Sequence, residues 1–379
     1  MTASVMRPAR PIHSWTGGNF PKPLNKVTLH TSDVIRNELI ASVTLYSEVE
    51  ELGRNILKHG HSQLLNSFRR FQAYMRQGRT FYESAEVLPA RACPLNYYYS
   101  FLNFAKAFIL LRSPTFIDNN LKHGLSPGKI SAKIKQQHAL VNKSGVFLQF
   151  YHQLTQKHLA PGSKLKIIDL LSYCSDVGYE YEALKYGLVR AFPVKFVIAV
   201  NQNGLGVFPI FAVGGTQHRD FAKIHNVLTK TFDIVDVSSM SARDMFKMMH
   251  QDRNVSTFFE SKNEYPLQNN IIDTGRIISD TIDAVQDIVS YRPLPDDALF
   301  VLNTPIRTPK AATMNEFVAI YVIMFLLGSL VRYRPEILEK MLSSKDTWLI
   351  ERFVKTAPIT LLRHFRNLVE DNYIAYATM

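Results

Sequence analysis

The sequence predicts an α+β fold that is predominantly α-helical, with helical N- and C-terminal parts packed together and a small antiparallel sheet inserted between them. Three observations lead there. From Cys93 to Leu111 two adjacent apolar stripes repeat at helical spacing. One runs through Leu95, Tyr98, Leu102, Ala105 and Ile109, the other through Tyr97, Phe101, Phe104, Phe108 and Leu111. A helix so apolar around its circumference is enclosed by neighbours. After Phe192 the period changes: VKFVIAV (194–200) and GVFPIFAV (206–213) flank Asn203-Gly204, a hairpin signal. Near the end, Thr313 to Glu316 reads as a capping box directly before the apolar run 317–331.

Taken in order, residues 1–30 read as an irregular leader, rich in Pro, Gly and Arg. The N-terminal helical region spans 31–191. Its first helix runs from Thr31, Ser32 or Asp33 as cap to about Lys58, with Gly60 as the stop. A second helix carries Leu64, Phe68, Phe71 and Met75, and the Cys93 helix follows with Pro94 at its first turn. Residues 113–143 form a basic connector, followed by helices near Val146–His158 and Ile167–Cys174. The mixed sheet and helix region covers 192–305. Its further strands are 232–237, 255–261 and 298–304, and a capping box at Ser241–Asp244 opens a short helix between strands. The C-terminal helical region, 306–379, packs on the first, with Pro358 breaking its last long helical stretch.

Composition bounds the class of protein. The 379 residues are 46% hydrophobic and 11% aromatic, which excludes a disordered chain. Two cysteines, Cys93 and Cys174, sit in apolar contexts without metal-ligand spacing, as buried thiols in a reducing compartment do. The first 30 residues hold no apolar signal core, and the run 317–331 falls short of the ~18 residues of a membrane span. A cytoplasmic protein is expected, without membrane, cofactor or metal.

The formal charge of +12 is regional: residues 51–150 hold 14 Lys/Arg against 4 Asp/Glu, whereas 251–300 hold 4 against 9. Nucleic acid or an acidic protein is therefore the expected partner. Arg69, Arg70, Arg76 and Arg79 interleave with Phe71 and Tyr74, a combination that can hold phosphates and stack bases, and equally the pattern of a core Phe71 beneath a solvated arginine face. Lys122, Lys129, Lys133 and Lys135 extend the basic set, with Lys143 beyond. A homo-oligomer, in which the acidic stretch 273–297 meets the basic region of a second copy, is a further reading.

Other patterns bear on chemistry. Gly124–Ile130 is one residue short of a phosphate loop between its glycines, lacks the Ser/Thr after Lys129, and is rejected as one. Glu260 and Lys262, with Asp233 and Asp236 on an earlier strand, have the spacing of a metal-dependent nuclease site, which is also that of a surface ion pair. Asp280, Asp283 and Asp287 share a helical face without histidine, which suits solvent or a basic surface. His123, before Gly124, suits a helix end or a ligand contact.

The segments FQAYMRQGRTFYESA (71–85), PLNYYYSFLNFAKAFILL (94–111), LKHGL (121–125), KIIDLLSY (166–173) and MNEFVAIYVIMFLLGSLVRYRPE (314–336) occur in an order that resembles the bacterial YaaC-like family. The resemblance covers roughly 65–370. It implies a helical, cytosolic bacterial protein and no catalytic residues. Separately, Arg54 to His59 looks like the R-x4-H signature of HEPN-type ribonucleases. That resemblance implies a metal-independent endoribonuclease of toxin or defence biology, with His59 moving the proton of the ribose 2′-hydroxyl and Arg54 holding the phosphate. The same two residues suit the last turn of a helix without any function.

Overall fold

The structure, a computed structural model, describes residues 6–17, 24–30, 35–57, 61–113, 122–214, 219, 221–236, 257–267, 276–277, 280–281, 285, 289–293, 298–303, 314–370 and 373–378. His59, Thr313, the Ser241–Asp244 box, Asp283 and Asp287 lie outside the described residues. The chain is helix-dominated α+β and divides into two compact units. One comprises Met1–Val27, Arg190–Pro305 and Tyr373–Tyr376; the other comprises Thr28–Val189, Ile306–Asn372 and Ala377–Met379.

The helical unit begins with α1 (Ile35–Glu48) and α2 (Glu50–Ile56), where the sequence predicts a single helix. Val49 breaks it with an extended backbone. The break lets Gly53 lie against the Tyr46 carbonyl and the Phe68 ring, where any Cβ would collide. Helix α3 (His61–Glu86) packs along α4 (Cys93–Arg112), with Gly78 against the Phe104 ring. Helix α4 is buried on nearly every side, as its two apolar stripes require. Its neighbours include α5 (Val146–Thr155) and α9 (Glu316–Tyr333).

Helix α9 is long and apolar enough to cross a bilayer, but most of it is enclosed within this unit. Its N-cap is Asn315, whose side chain accepts from the Val318 N–H at 2.9 Å, rather than a box starting at Thr313. Helix α6 (Ile167–Leu171), α7 (Gly178–Ala183) and α10 (Pro335–Leu342) are short. Helix α11 (Thr347–Glu370) runs straight through Pro358 instead of ending there. Proline costs a helix interior about 3 kcal/mol, and burial of Phe353, Val354, Leu361, Leu362 and Phe365 on both sides of it outweighs that penalty.

Three short strands complete the unit: β4 (Leu125–Pro127), β5 (His138–Val141) and β6 (Lys164–Lys166), paired antiparallel in the order β4-β5-β6.

The sheet unit is built on the expected hairpin of β7 (Ala191–Asn201) and β8 (Gly206–Val213). Gly204 turns it at φ +70°. The main path is β1-β9-β10-β8-β7-β13-β12, with β9 (Phe232–Asp236), β10 (Thr257–Ser261), β12 (Val289–Pro293) and β13 (Ala298–Asn303). Strand β11 (Tyr265–Pro266) adds to β8. Residues predicted as an irregular leader form strands: β1 (Arg7–Pro8) pairs parallel with β9, and β2 (Ile12–Gly17) antiparallel with β7. Strands β3 (Leu24–His30) and β14 (Tyr373–Thr378) form a separate ribbon. Helix α8 (Phe221–Leu228) sets Phe221, Ile224 and Leu228 among Phe192, Phe211 and Phe259. Val197, Phe208, Ile210 and Phe258 form a second apolar cluster, so these strands read as continuous apolar runs.

Candidate functional site

The arginines of α3 form an ion-paired face. Arg76 grips Glu48 through two bonds of 3.2 and 2.9 Å, and the guanidinium holds the Glu48 carboxyl below the usual range. Arg79 pairs with Glu83 at 2.7 Å. Arg69 is exposed and Arg70 half-buried. Of the two readings of Phe71, stacking surface or core, the structure has core, fully buried, and Tyr74 lies beneath the Lys106 ammonium at 5.1 Å. Arg54 pairs with Glu50, one helical turn earlier.

The lysines behave differently. Lys122, Lys129, Lys133, Lys135, Lys143, Lys164 and Lys166 are all exposed, and none forms an ion pair with a described carboxylate. They lie on β6 and on the loops and turns around β4, β5 and β6. Residues 119–168 contain no Asp or Glu at all. Lys135 lies over the Tyr186 ring at 5.0 Å. Lys164 and Lys166 extend this surface beyond the predicted set, and the acid-free stretch is the sequence signal that reveals them.

At the start of this sheet the backbone is locked by two glycines in left-handed territory, Gly124 at φ +84° and Gly145 at φ +135°, whose close approach leaves no room for a Cβ on Gly145. The carbonyls of Lys122 and His123 accept the N–H groups of Val146 and Phe147 at 2.8 and 3.0 Å, and so satisfy orphan donors at the start of α5. His123 is thereby fixed at both ends: its Nδ1 lies 2.6 Å from the Tyr98 hydroxyl of α4.

This pair belongs to a cleft of about 200 Å³ lined by α4, α9, β4 and His123. Leu95, Phe325 and the Tyr98 ring supply apolar walls, and Pro127 and Tyr333 also line it. Gly328 brings α9 close to α4: a Cβ there would stand 3.3 Å from Leu95 Cα. Arg332 donates to the Tyr99 hydroxyl at 2.7 Å and lies 5.0 Å from the Tyr333 ring centre. The lining holds no carboxylate. Burial, then the Lys106 and Arg332 charges, push the His123 pKa below its ordinary 6.5, so the ring is neutral at pH 7. Burial raises the Tyr98 phenol well above 10.0. A phenol that keeps its proton can donate it to Nδ1, the arrangement that leaves the imidazole hydrogen on Nε2.

Two other constellations are structural. Glu316 accepts from the Ser175 N–H at 2.6 Å and from its hydroxyl, and its other oxygen stands 3.3 Å from His364 Nε2. The serine therefore donates to the carboxylate, and not to the histidine as a nucleophile would. In the sheet unit Glu260 is fully buried and taken by Arg10, which also reaches the Ser261 carbonyl and covers Phe208 at 4.1 Å. Lys262 donates to the Thr229 carbonyl at 2.8 Å and stands 3.8 Å from Asp233. The Glu260/Lys262 spacing is thus that of ion pairs, and no group of three His, Cys, Asp or Glu among the described residues could hold a metal ion. Asp280 accepts from Tyr265 at 3.0 Å.

A helix-dominated α+β protein with a lysine-bearing small sheet beside an aromatic, cation-edged cleft is the class that this architecture defines. The chain belongs to the YaaC-like protein family, whose sequence model matches residues 44–369. The match reaches further toward the N-terminus than the segments from 71 onward suggest, and takes in α2 and position 59. No curated protein and no solved structure matches the chain.

Proposed function

We propose that this YaaC-like protein binds nucleic acid through the lysine-bearing sheet of its helical unit. The observation that carries the reading is the set of exposed lysines from Lys122 to Lys166 on a stretch without a single acidic residue. Ammonium groups spread over a surface neutralise successive phosphates and release counterions, which is the source of affinity without base readout. An acidic protein is less well matched. A protein interface wants an apolar centre, and no large hydrophobic side chain between Lys122 and Lys166 is exposed. The arginines of α3 contribute less than their number implies, since Arg76 and Arg79 already have carboxylate partners.

The test is a gel shift with fluorescent single-stranded RNA and double-stranded DNA at increasing salt. Binding that weakens steeply with salt supports the reading. No shift at low salt, or a shift indifferent to salt, removes it. The same lanes, run in a chelator, address the ribonuclease reading of Arg54 and His59: cleavage lost in His59→Ala supports it, and intact RNA ends it.

A further inference from the structure

The cleft at Tyr98 and His123 is not needed by a lysine surface that grips phosphates, and its chemistry is of another kind. Its polar edge presents hydrogen-bond donors. The Arg332 guanidinium uses one N–H on Tyr99 and keeps others, and the His123 Nε2–H has no protein acceptor among the described residues. The rest of the wall is Leu95, Phe325 and the ring of Tyr98, which itself meets Phe325 edge-on at 5.3 Å. With no carboxylate in the lining, an entering anion meets no opposing negative charge, and Arg332 supplies a cation at the edge. The site is also rigid. His123 is held through its carbonyl by Phe147 and through Nδ1 by Tyr98, while Gly328 fixes the separation of α4 and α9.

We infer that this cleft binds a small anion with a flat apolar body, its carboxylate or phosphate head taken by Arg332 and the His123 Nε2–H and its body by the Leu95, Tyr98 and Phe325 wall. The cavity of about 200 Å³ suits a single ring with its head group. The charged and titratable groups around His123 are Tyr98, Tyr99 and Lys106 on α4 and Arg332 on α9. Two of these are cations that disfavour a second positive charge on the ring, and an arriving anion offsets them. Binding therefore strengthens as pH falls and His123 takes up a proton.

The experiment is calorimetric titration of the full chain with benzoate and with phenyl phosphate, against benzyl alcohol as the neutral body. The two anions separate a carboxylate site from a phosphomonoester site. At least one is expected to bind, more tightly than benzyl alcohol, and to weaken about tenfold or more in Arg332→Gln and in His123→Gln, each losing one charge-assisted bond. Benzoate stays ionised across the neutral range, so if it binds, its affinity should rise from about pH 8 to pH 5.5 in the wild type and stay flat in His123→Gln. Either variant suffices if the other fails to fold, as judged by circular dichroism. The double variant Lys129→Glu/Lys133→Glu should keep full anion binding, which separates this site from the nucleic-acid surface. If neither anion binds better than benzyl alcohol, or if binding survives both cleft substitutions unchanged, the inference is overturned.

Discussion

The Tyr98 hydroxyl stands 2.6 Å from His123 Nδ1, joining the central helix of the helical unit to the start of its small sheet. Burial and the Lys106 and Arg332 charges hold the His123 imidazole neutral. Arg332→Gln should therefore raise the His123 pKa toward 6.5, whereas Tyr98→Phe, which removes one hydrogen bond, should cost about 1 kcal/mol of stability. The sign of the pH dependence follows. A histidine held below 6.5 contributes stability that is complete above 6.5 and lost as pH falls through its folded value. Thermal melts across that window should show a smaller acid loss in Arg332→Gln than in the wild type. Imidazole NMR titration reads the pKa directly, and an unchanged value in Arg332→Gln would show that its charge does not act on His123.

Gly328 lets α9 approach α4. A valine there would press on Leu95 Cα and the Pro94 carbonyl, both 3.3 Å from the position of a Cβ. Overpacking of this kind costs about 1–3 kcal/mol. Urea unfolding of Gly328→Val should show that loss, with the cleft distorted as well. A variant as stable as the wild type would mean the two helices separate freely.

In the sheet unit, Glu260→Ala strands Arg10 over Phe208. Removing one member of a buried pair costs about 2–4 kcal/mol when its partner retains some solvent contact. Hydrogen exchange at the amides of β8 and β10 should accelerate accordingly, and less so in Glu260→Gln, which can still accept. Exchange rates equal to wild type in both would demote the pair to decoration.

Cys93 lies at the start of α4 with its thiol pushed up to about 12 by burial. It should resist alkylation by iodoacetamide at neutral pH and become labelled only on unfolding. Rapid labelling of the native protein at Cys93 would contradict the enclosed packing of α4.

Much of this architecture is written in local periodicity. The stripes of α4, the Asn203-Gly204 hairpin and the apolar run of α9 each state their own structure within about twenty residues. What the sequence conceals is decided at long range. Strand β1 holds Pro8 and β2 follows Pro11, both are short, and they exist because β9 and β7 offer them pairing partners. Pro358 sits inside α11 because the surrounding core outweighs its local cost. The break at Val49 answers to the contacts of Gly53 with Tyr46 and Phe68.

The site divides in the same way. Its lysines are visible as composition. The Arg79–Glu83 pair is a local i,i+4 spacing, but the withdrawal of Arg76 onto Glu48 of α1, and of Phe71 into the core, depends on which residues other helices bring opposite them. The cleft needs Tyr98, His123 and Arg332 from three separate segments. Each lies in a stretch that marks the family, but no spacing announces that they meet.

Phosphate contact by the lysines of the small sheet leaves its signature in the salt dependence of binding. Fluorescence anisotropy of a single-stranded RNA should be followed against salt for the wild type and for Lys129→Glu/Lys133→Glu/Lys164→Glu. Each phosphate contact contributes a log–log slope of about −0.7 on a single strand. The account requires a steep negative slope in the wild type, flattened by about 2 in the triple variant, with affinity lost at every salt concentration. Equal slopes and equal affinities in the two proteins, with both folded, would contradict it.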